Sequence, residues 1–195
     1  IVSCAYSEGA CSKGRYHKYA RRLGESLEKF GYVGGYRCWM DSFPPGSPTH
    51  RETHYAFKWW AVKWALDGGY KRVMWLDAGA YATAPIEPIW DEIARRGVYV
   101  VAGDEPLGEW ISDQALDFFH VSRDEAMALH LCGGAIVGLD YENVKARSFF
   151  QRWGALARTK LFITSHSRLA PDRMRSLWVS DHDENLIVSQ DPRFK

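Results

Sequence analysis

The feature that most constrains this chain is a short apolar run, Val-Met-Trp-Leu at positions 73–76, which ends at Asp77 followed by Ala78 and Gly79. Such a run is typical of a strand buried on both faces, and strands of this kind occur in the parallel sheets of α/β proteins. Ligands of open α/β sheets bind at the carboxyl ends of the strands. We therefore expect Asp77 to lie at a ligand site, with a cation, a metal or several hydrogen-bond donors as its partner.

The rest of the chain alternates strand-like and helix-like segments. The pattern predicts an α/β fold with a mostly parallel, Rossmann-type central sheet flanked by helices. Its 195 residues predict a single domain over positions 1–195, and the missing initiator methionine leads us to expect trimmed termini. Strands are predicted over 1–6, 36–40, 73–77, 98–102 and 131–139, and helices over 15–30, 53–66, about 86–96, 142–158 and two short segments between 110 and 129.

Composition excludes several classes of protein. A formal net charge of +1 argues against a general electrostatic interaction with nucleic acid or an anionic membrane. No apolar run approaches the roughly 18 to 20 residues that span a bilayer, and no leader precedes the first strand, so we expect a cytoplasmic or intracellular protein. The G-x-G-x-x-G and G-x-x-x-x-G-K-[ST] phosphate motifs are both missing, which disfavours dehydrogenases and P-loop enzymes.

The four cysteines carry no C-x-x-C pair, which disfavours a structural zinc site. Cys4 and Cys38 fall in strand-like runs that could be neighbours, so a disulfide between them is one reading. The favoured interpretation is that the cysteines are free buried thiols.

Six segments in order resemble a known family. They are the opening strand, Tyr55-Ala56-Phe57-Lys58, the strand ending at Asp77-Ala78, Val101-Ala102-Gly103-Asp104, Gly133-Gly134-Ala135-Ile136 and His182-Asp183-Glu184. Together they resemble nucleotide-sugar glycosyltransferases of the GT-A fold, glycogenin-like and related bacterial or viral transferases. The resemblance implies a hexosyltransferase that moves a sugar from a nucleotide-diphosphate donor, a UDP-sugar first, to an acceptor hydroxyl. It favours retention of the anomeric configuration.

The resemblance also assigns a donor site. It implies that Tyr6 and Ser7 hold the base and ribose, that Lys58 approaches the diphosphate or sugar, and that Asp104 or Glu105 binds sugar hydroxyls. Gly133 and Gly134 would let the backbone approach the ligand. Two alternatives stay open: Lys58 could lie on the solvated face of an amphipathic helix, and the glycines could mark a β-bulge without a ligand.

A divalent cation, Mn²⁺ or Mg²⁺, is the cofactor that the resemblance implies. Relatives bind it through an Asp-x-Asp motif, and a hard cation stabilises the charge that develops on the leaving diphosphate. Here Gly79 replaces the second Asp. The resemblance therefore implies that His182 or Asp181 joins Asp77 as a metal ligand, and the alternative is a metal-free site that uses basic side chains.

Catalytic and acceptor residues complete the prediction. In relatives an acidic residue near the C-terminus faces the anomeric carbon or the acceptor hydroxyl, which implies catalytic roles for Asp183 and Glu184 beside Lys58. Asp181 and Asp183 could instead cap the final helix. Acceptor contacts are predicted at Trp110 and Asp113, and the acceptor is left open among a glycan, a protein, a lipid and a hydroxylated nucleic-acid base. Two rival functions remain: a nucleotidyltransferase acting on a sugar phosphate, and a non-catalytic nucleotide-sugar-binding module.

Overall fold

The computed structural model describes residues 1–6, 14–111 and 113–159. The strands are β1 (Val2–Ala5), β2 (Arg37–Met40), β3 (Arg72–Leu76), β4 (Val98–Pro106) and β5 (His130–Asp140). The helices are α1 (Arg15–Lys29), α2 (Phe57–Asp67), α3 (Glu87–Arg96), α4 (Asp113–Phe119), α5 (Arg123–Met127) and α6 (Val144–Ala157), with a 3-10 turn at Leu107–Glu109. Five predicted site residues lie outside the described residues: Ser7, Asp181, His182, Asp183 and Glu184.

The predicted α/β class is confirmed, and the sheet is mixed. Its five strands lie in the order β2-β1-β3-β5-β4. β1 runs parallel to both β2 and β3, whereas β5 runs antiparallel to β3. Backbone hydrogen bonds from Asp140 to Gly97 and from Leu107 to Leu129 make β4 and β5 antiparallel as well. The predicted mostly parallel arrangement therefore holds for β2, β1 and β3 alone.

The chain divides into two compact units. The first comprises residues 1–100 and 134–162, and the second comprises 101–133 and 163–195. The first unit contains β1 to β3, α1 to α3 and α6, and the second contains α4 and α5. Among the described residues, no helix is both long and apolar enough to cross a membrane.

The central strand β3 is buried on both faces, as the sequence predicted. Val73, Met74 and Trp75 are almost completely shielded from solvent. One face packs against α2 and α6 in a core that includes Trp59, Val62, Leu139 and Phe150. Burial of side chains of this size contributes about 1.5–3 kcal/mol each, which fixes β3 and the residue that follows it.

Helix α2 differs from the prediction in its start and in its burial. It begins at Phe57 rather than near Thr53, because hydrogen bonds between Thr49 and Glu52 and left-handed backbone at Tyr55 build turns in front of it. Its buried residues lie around most of the helix rather than on one stripe: Phe57, Lys58, Trp59, Ala61, Val62 and Ala65. The reading that placed Lys58 on a solvated face is therefore wrong.

The cysteines of the described part are free thiols. Cys4 is buried, Cys38 is half-buried and Cys132 is exposed, so the expected burial holds for Cys4 alone. β1 and β2 are neighbours as expected, but their register pairs Ser3 with Cys38 and Cys4 with Trp39. Since successive strand residues face opposite sides of a sheet, Cys4 and Cys38 point away from each other.

Candidate functional site

The carboxyl ends of three parallel strands meet at one edge of the sheet. β1 ends before Tyr6, β2 before Asp41 and β3 before Asp77. Ligands of α/β proteins bind at this edge. The sequence-based placement of Tyr6 and Asp77 at the carboxyl ends of strands is confirmed.

The centre of this edge is an ion pair between Lys58 and Asp77. The Nζ of Lys58 lies 2.7 Å from Asp77 Oδ1 and also donates to the carbonyl oxygen of Gly134 at 2.8 Å. The indole Nε1 of Trp75 donates to the same Oδ1 at 2.7 Å. The Lys58 side chain is 10% exposed and that of Asp77 is 42% exposed. The second oxygen, Asp77 Oδ2, receives no hydrogen bond from any residue that the structure describes.

Backbone contacts hold Asp77 in place. Its amide donates to the carbonyl oxygen of Ala135 on β5 at 2.8 Å, and its own carbonyl oxygen accepts from Ala80 at 2.9 Å. The guanidinium of Arg22 on α1 donates to the Gly79 carbonyl oxygen at 2.7 Å. The loop that follows β3 is therefore fixed to β5 on one side and to α1 on the other.

Lys58 occupies an unfavourable position for a cation. It is the second residue of α2, where the helix dipole gives a partial positive charge. The Asp77 carboxylate and the Gly134 carbonyl oxygen offset that charge. A Cβ at Gly134 would make an ordinary contact with Lys58 Nζ at 3.5 Å. Helix stability alone would favour an acid at this position, and the lysine is explained by what it binds.

Aromatic rings surround the ammonium group. The ring centroids of Tyr55 and Trp75 lie 5.2 Å and 5.4 Å from Lys58 Nζ, within the range of cation–π attraction. Tyr6 packs against Phe43 with 4.7 Å between ring centroids. Its ring is therefore half-buried against a neighbour, and its predicted contact with a nucleobase stays a prediction.

Tyr55 is a candidate that sequence reasoning did not assign to the site. Its φ of 59° is left-handed, which is rare for a residue with a bulky side chain, and the residue is 56% exposed. Such a conformation costs of the order of 1–3 kcal/mol and is found most often at functional sites. The available signal was its place in the Tyr55-Ala56-Phe57-Lys58 segment, three residues before the lysine.

Asp41 shares this unusual backbone conformation at the end of β2, with a φ of 48°. Its Oδ2 lies 2.8 Å from Nε2 of His17 on α1. The contact lies between α1 and the loop after β2, its geometry is not that of a hydrogen bond, and nothing in the sequence pattern indicated it.

The second unit holds the remaining described candidates. Asp104 and Glu105 are exposed on β4, and a Cβ at Gly133 would make an ordinary contact with the Val101 carbonyl oxygen. Asp113 forms an ion pair with Arg123 at 2.6 Å, and Arg123 also donates to the Ile111 carbonyl oxygen at 2.8 Å. Asp113 thus helps to hold the segment before α4, and the predicted acceptor contacts of Trp110 and Asp113 stay predictions.

The described residues do not fit a divalent metal ion. Among them, no group of three His, Cys, Asp or Glu side chains lies close enough together to bind one. Asp77 offers one oxygen, and the Lys58 ammonium beside the other would repel a second cation. Two of the predicted ligands, Asp181 and His182, lie outside the described residues, so the metal stays a prediction.

Comparison with protein-family models, with curated proteins and with solved structures found no match to this chain. The likeness to GT-A glycosyltransferases therefore rests on the order of the sequence segments and stays a prediction.

Proposed function

We propose that this protein transfers a sugar from a nucleotide-diphosphate donor, a UDP-sugar first, to an acceptor hydroxyl. The observation that supports the proposal is the buried ammonium of Lys58, held against Asp77 at the carboxyl end of β3. A buried lysine at a helix N-terminus needs a reason outside helix stability, and an anionic ligand supplies one.

Lys58 would stabilise the leaving group. As the bond between the anomeric carbon and the phosphate oxygen breaks, negative charge grows on the diphosphate. A fixed cation in a site shielded from water is more effective there than a mobile one in bulk solvent. The ammonium has three hydrogens, and two of them point to Asp77 and Gly134. The third is left for a phosphate oxygen.

Asp77 would act in two ways. Its Oδ1 holds Lys58 and accepts from Trp75, which fixes the position of the ammonium. Its Oδ2 is the acceptor available for a hydroxyl group of the donor sugar, since an ionised carboxylate accepts hydrogen bonds on both oxygens. With retention, the departing phosphate oxygen takes the proton of the acceptor hydroxyl, and Asp183 or Glu184 stays the predicted group that orients the acceptor.

The proposal is tested by donor turnover in a panel of UDP- and GDP-sugars, first as slow hydrolysis and then with added acceptors. We expect Lys58→Met to lower turnover by roughly 10² to 10³ fold, the effect of removing one fixed charge-stabilising donor. Asp77→Asn should also lower it, because the amide no longer balances the ammonium. The matched control is Lys63→Met on the same helix, where Lys63 pairs with Asp67 and is 43% exposed. We expect this variant to keep full turnover.

Unchanged turnover in a folded Lys58→Met protein would contradict the proposal. Binding of nucleotide sugars by the wild-type protein with no turnover would instead indicate a binding module. Release of pyrophosphate from a nucleoside triphosphate and a sugar phosphate would indicate a nucleotidyltransferase. Circular dichroism of each variant separates a lost function from a lost fold.

A further inference from the structure

The exposed ring of Tyr55 belongs to a residue with an unusual backbone conformation. The residue is 56% exposed and its backbone is left-handed, a conformation that glycine adopts without strain. A turn that needed only this backbone would be better served by glycine. The tyrosine side chain itself is therefore the feature that needs an explanation.

The ring lies beside the two charged groups of the site. Its centroid is 5.2 Å from Lys58 Nζ, and the Tyr55 carbonyl oxygen accepts the backbone hydrogen bond of Lys58 at 3.1 Å. Lys58 in turn contacts Asp77. The Tyr55 ring, the Lys58 ammonium and the Asp77 carboxylate thus form a patch in which Lys58 lies next to both of the other groups.

Neighbouring rings hold Tyr55 in position. The His50 ring meets it edge to face, with 5.0 Å between centroids and an interplanar angle of 86°, and the His54 ring centroid is 6.3 Å away. Edge-to-face packing of this kind is a favourable aromatic geometry. A platform that is positioned before the ligand arrives loses little conformational entropy on binding.

We propose that Tyr55 is the platform of the donor-sugar subsite, with the ring of the transferred sugar stacked on it and a hydroxyl group of that sugar held by Asp77. A hexose ring has an apolar C–H face and a rim of hydroxyl groups, and the patch offers an aromatic surface with polar groups at its side. The inference rests on the proposed function and adds to it the part of the donor that Tyr55 recognises.

The experiment compares the affinities of the bare nucleotides, UDP and GDP, with those of their sugar conjugates by calorimetry. Wild-type protein should bind a nucleotide sugar more tightly than the matching nucleotide. We expect Tyr55→Ala to weaken the sugar conjugate about tenfold and to leave the bare nucleotide unchanged. Tyr55→Phe should retain the wild-type affinity because the ring is kept. Tyr70→Ala is the matched control, since Tyr70 is 53% exposed and precedes β3, at the opposite end of the strand from Asp77.

A glycine variant separates the ring from the fold. Tyr55→Gly removes the platform while relieving the left-handed backbone, so the midpoint of urea unfolding should stay at or above the wild-type value while affinity for the sugar conjugate falls.

Equal weakening of the nucleotide and its sugar conjugate in Tyr55→Ala would place the nucleobase on Tyr55 and overturn the inference. Wild-type affinity in Tyr55→Ala would overturn it as well. If the wild-type protein binds the nucleotide and its sugar conjugate with equal affinity, the result contradicts the proposed sugar subsite but not nucleotide binding. A wild-type protein that binds neither overturns the proposed function and this inference together.

Discussion

At the scale of single residues, folding stability alone does not account for the ion pair between Lys58 and Asp77. Burying the Lys58 ammonium, whose side chain is 10% exposed, costs desolvation free energy, whereas Asp77 is 42% exposed and keeps much of its hydration. Lys58 is nearly buried and begins a helix whose other buried residues are apolar. The desolvation cost of the pair therefore falls mainly on Lys58.

Cys4 lies on β1, the strand next to β3, and the Asp77 carboxylate affects the pKa of its thiol. Its thiol donates to the Ser42 carbonyl oxygen at 3.3 Å. Burial raises the pKa of the Cys4 thiol from 9.0 to about 12, with smaller contributions from Cys38 and from the negative charge of Asp77. The thiolate is the reactive form of cysteine, so Cys4 should be inert at neutral pH.

We predict that iodoacetamide at pH 8 alkylates the exposed Cys132 of the native protein and leaves Cys4 unmodified, as read by peptide mass spectrometry. Because the folded-state pKa is the raised one, the contribution of Cys4 to stability is complete below pH 9 and is lost as pH rises towards about 12. Cys4→Ala should flatten that alkaline loss in urea titrations. Native Cys4 that reacts at pH 8 as fast as Cys132 would contradict the burial described here.

At the scale of elements, the packing of α2 against α6 sets the position of Lys58. Trp59 on α2 stacks on Phe150 with 5.2 Å between centroids, and its Nε1 donates to the Phe150 carbonyl oxygen at 3.0 Å. Gly154 lies under the same indole, and a Cβ there would overlap the Trp59 ring. The glycine lets α6 approach α2 closely.

Gly154→Ala should therefore destabilise the protein, although alanine favours helix. The gain in helix propensity is about 1 kcal/mol, and overpacking a filled core costs about 1–3 kcal/mol. We expect a lower free energy of unfolding in urea. The comparison is Gly24→Ala in α1, where the nearest atom to the new Cβ is a Tyr36 ring carbon at 3.2 Å, a milder overlap than the one at Gly154. Equal stability changes in the two variants would contradict this account of the α2–α6 contact.

Some elements could be predicted from the sequence and others could not. β3 was readable because four apolar residues in succession fit a strand covered on both faces, and α1 because Leu23 and Leu27 recur at helical spacing. The direction of β5 could not be predicted, since hydrophobic patterning carries no information on whether a neighbouring strand runs parallel or antiparallel. The start of α2 was also missed, because local hydrogen bonds of Thr49 and Glu52 decide it.

The candidate site also contains residues that could be predicted from the sequence and residues that could not. The position of Asp77 could be predicted because a carboxylate after a buried strand demands a partner, whereas Lys58 was indicated only by the resemblance to GT-A transferases. Tyr55 was not assigned to the site, because its left-handed φ and its exposed ring are features of the folded chain that its residue type does not indicate. The predicted residues of the second unit stay untested, since sequence order alone does not bring them to Asp77.

At the scale of the whole molecule, a net charge of +1 leaves anion binding to local groups. The parallel order of β2, β1 and β3 brings Asp41, Tyr6 and Asp77 to one edge from distant parts of the chain. Lys58 adds a positive charge there that does not depend on an added ion. Whether donor turnover needs a metal is therefore tested by assaying the intact protein with and without divalent ions.

We predict that exhaustive chelation lowers donor turnover far less than Lys58→Met does, because the ammonium remains in place when divalent ions are removed. Turnover is measured with a nucleotide sugar in EDTA and again after adding Mn²⁺ or Mg²⁺, and Lys58→Met is assayed at saturating Mn²⁺. His182→Ala is the second arm, since a metal held by Asp77, Asp181 and His182 would lose its effect in that variant. Complete loss of turnover in EDTA, full recovery with Mn²⁺ and no recovery in His182→Ala would transfer the charge-stabilising role from Lys58 to the metal.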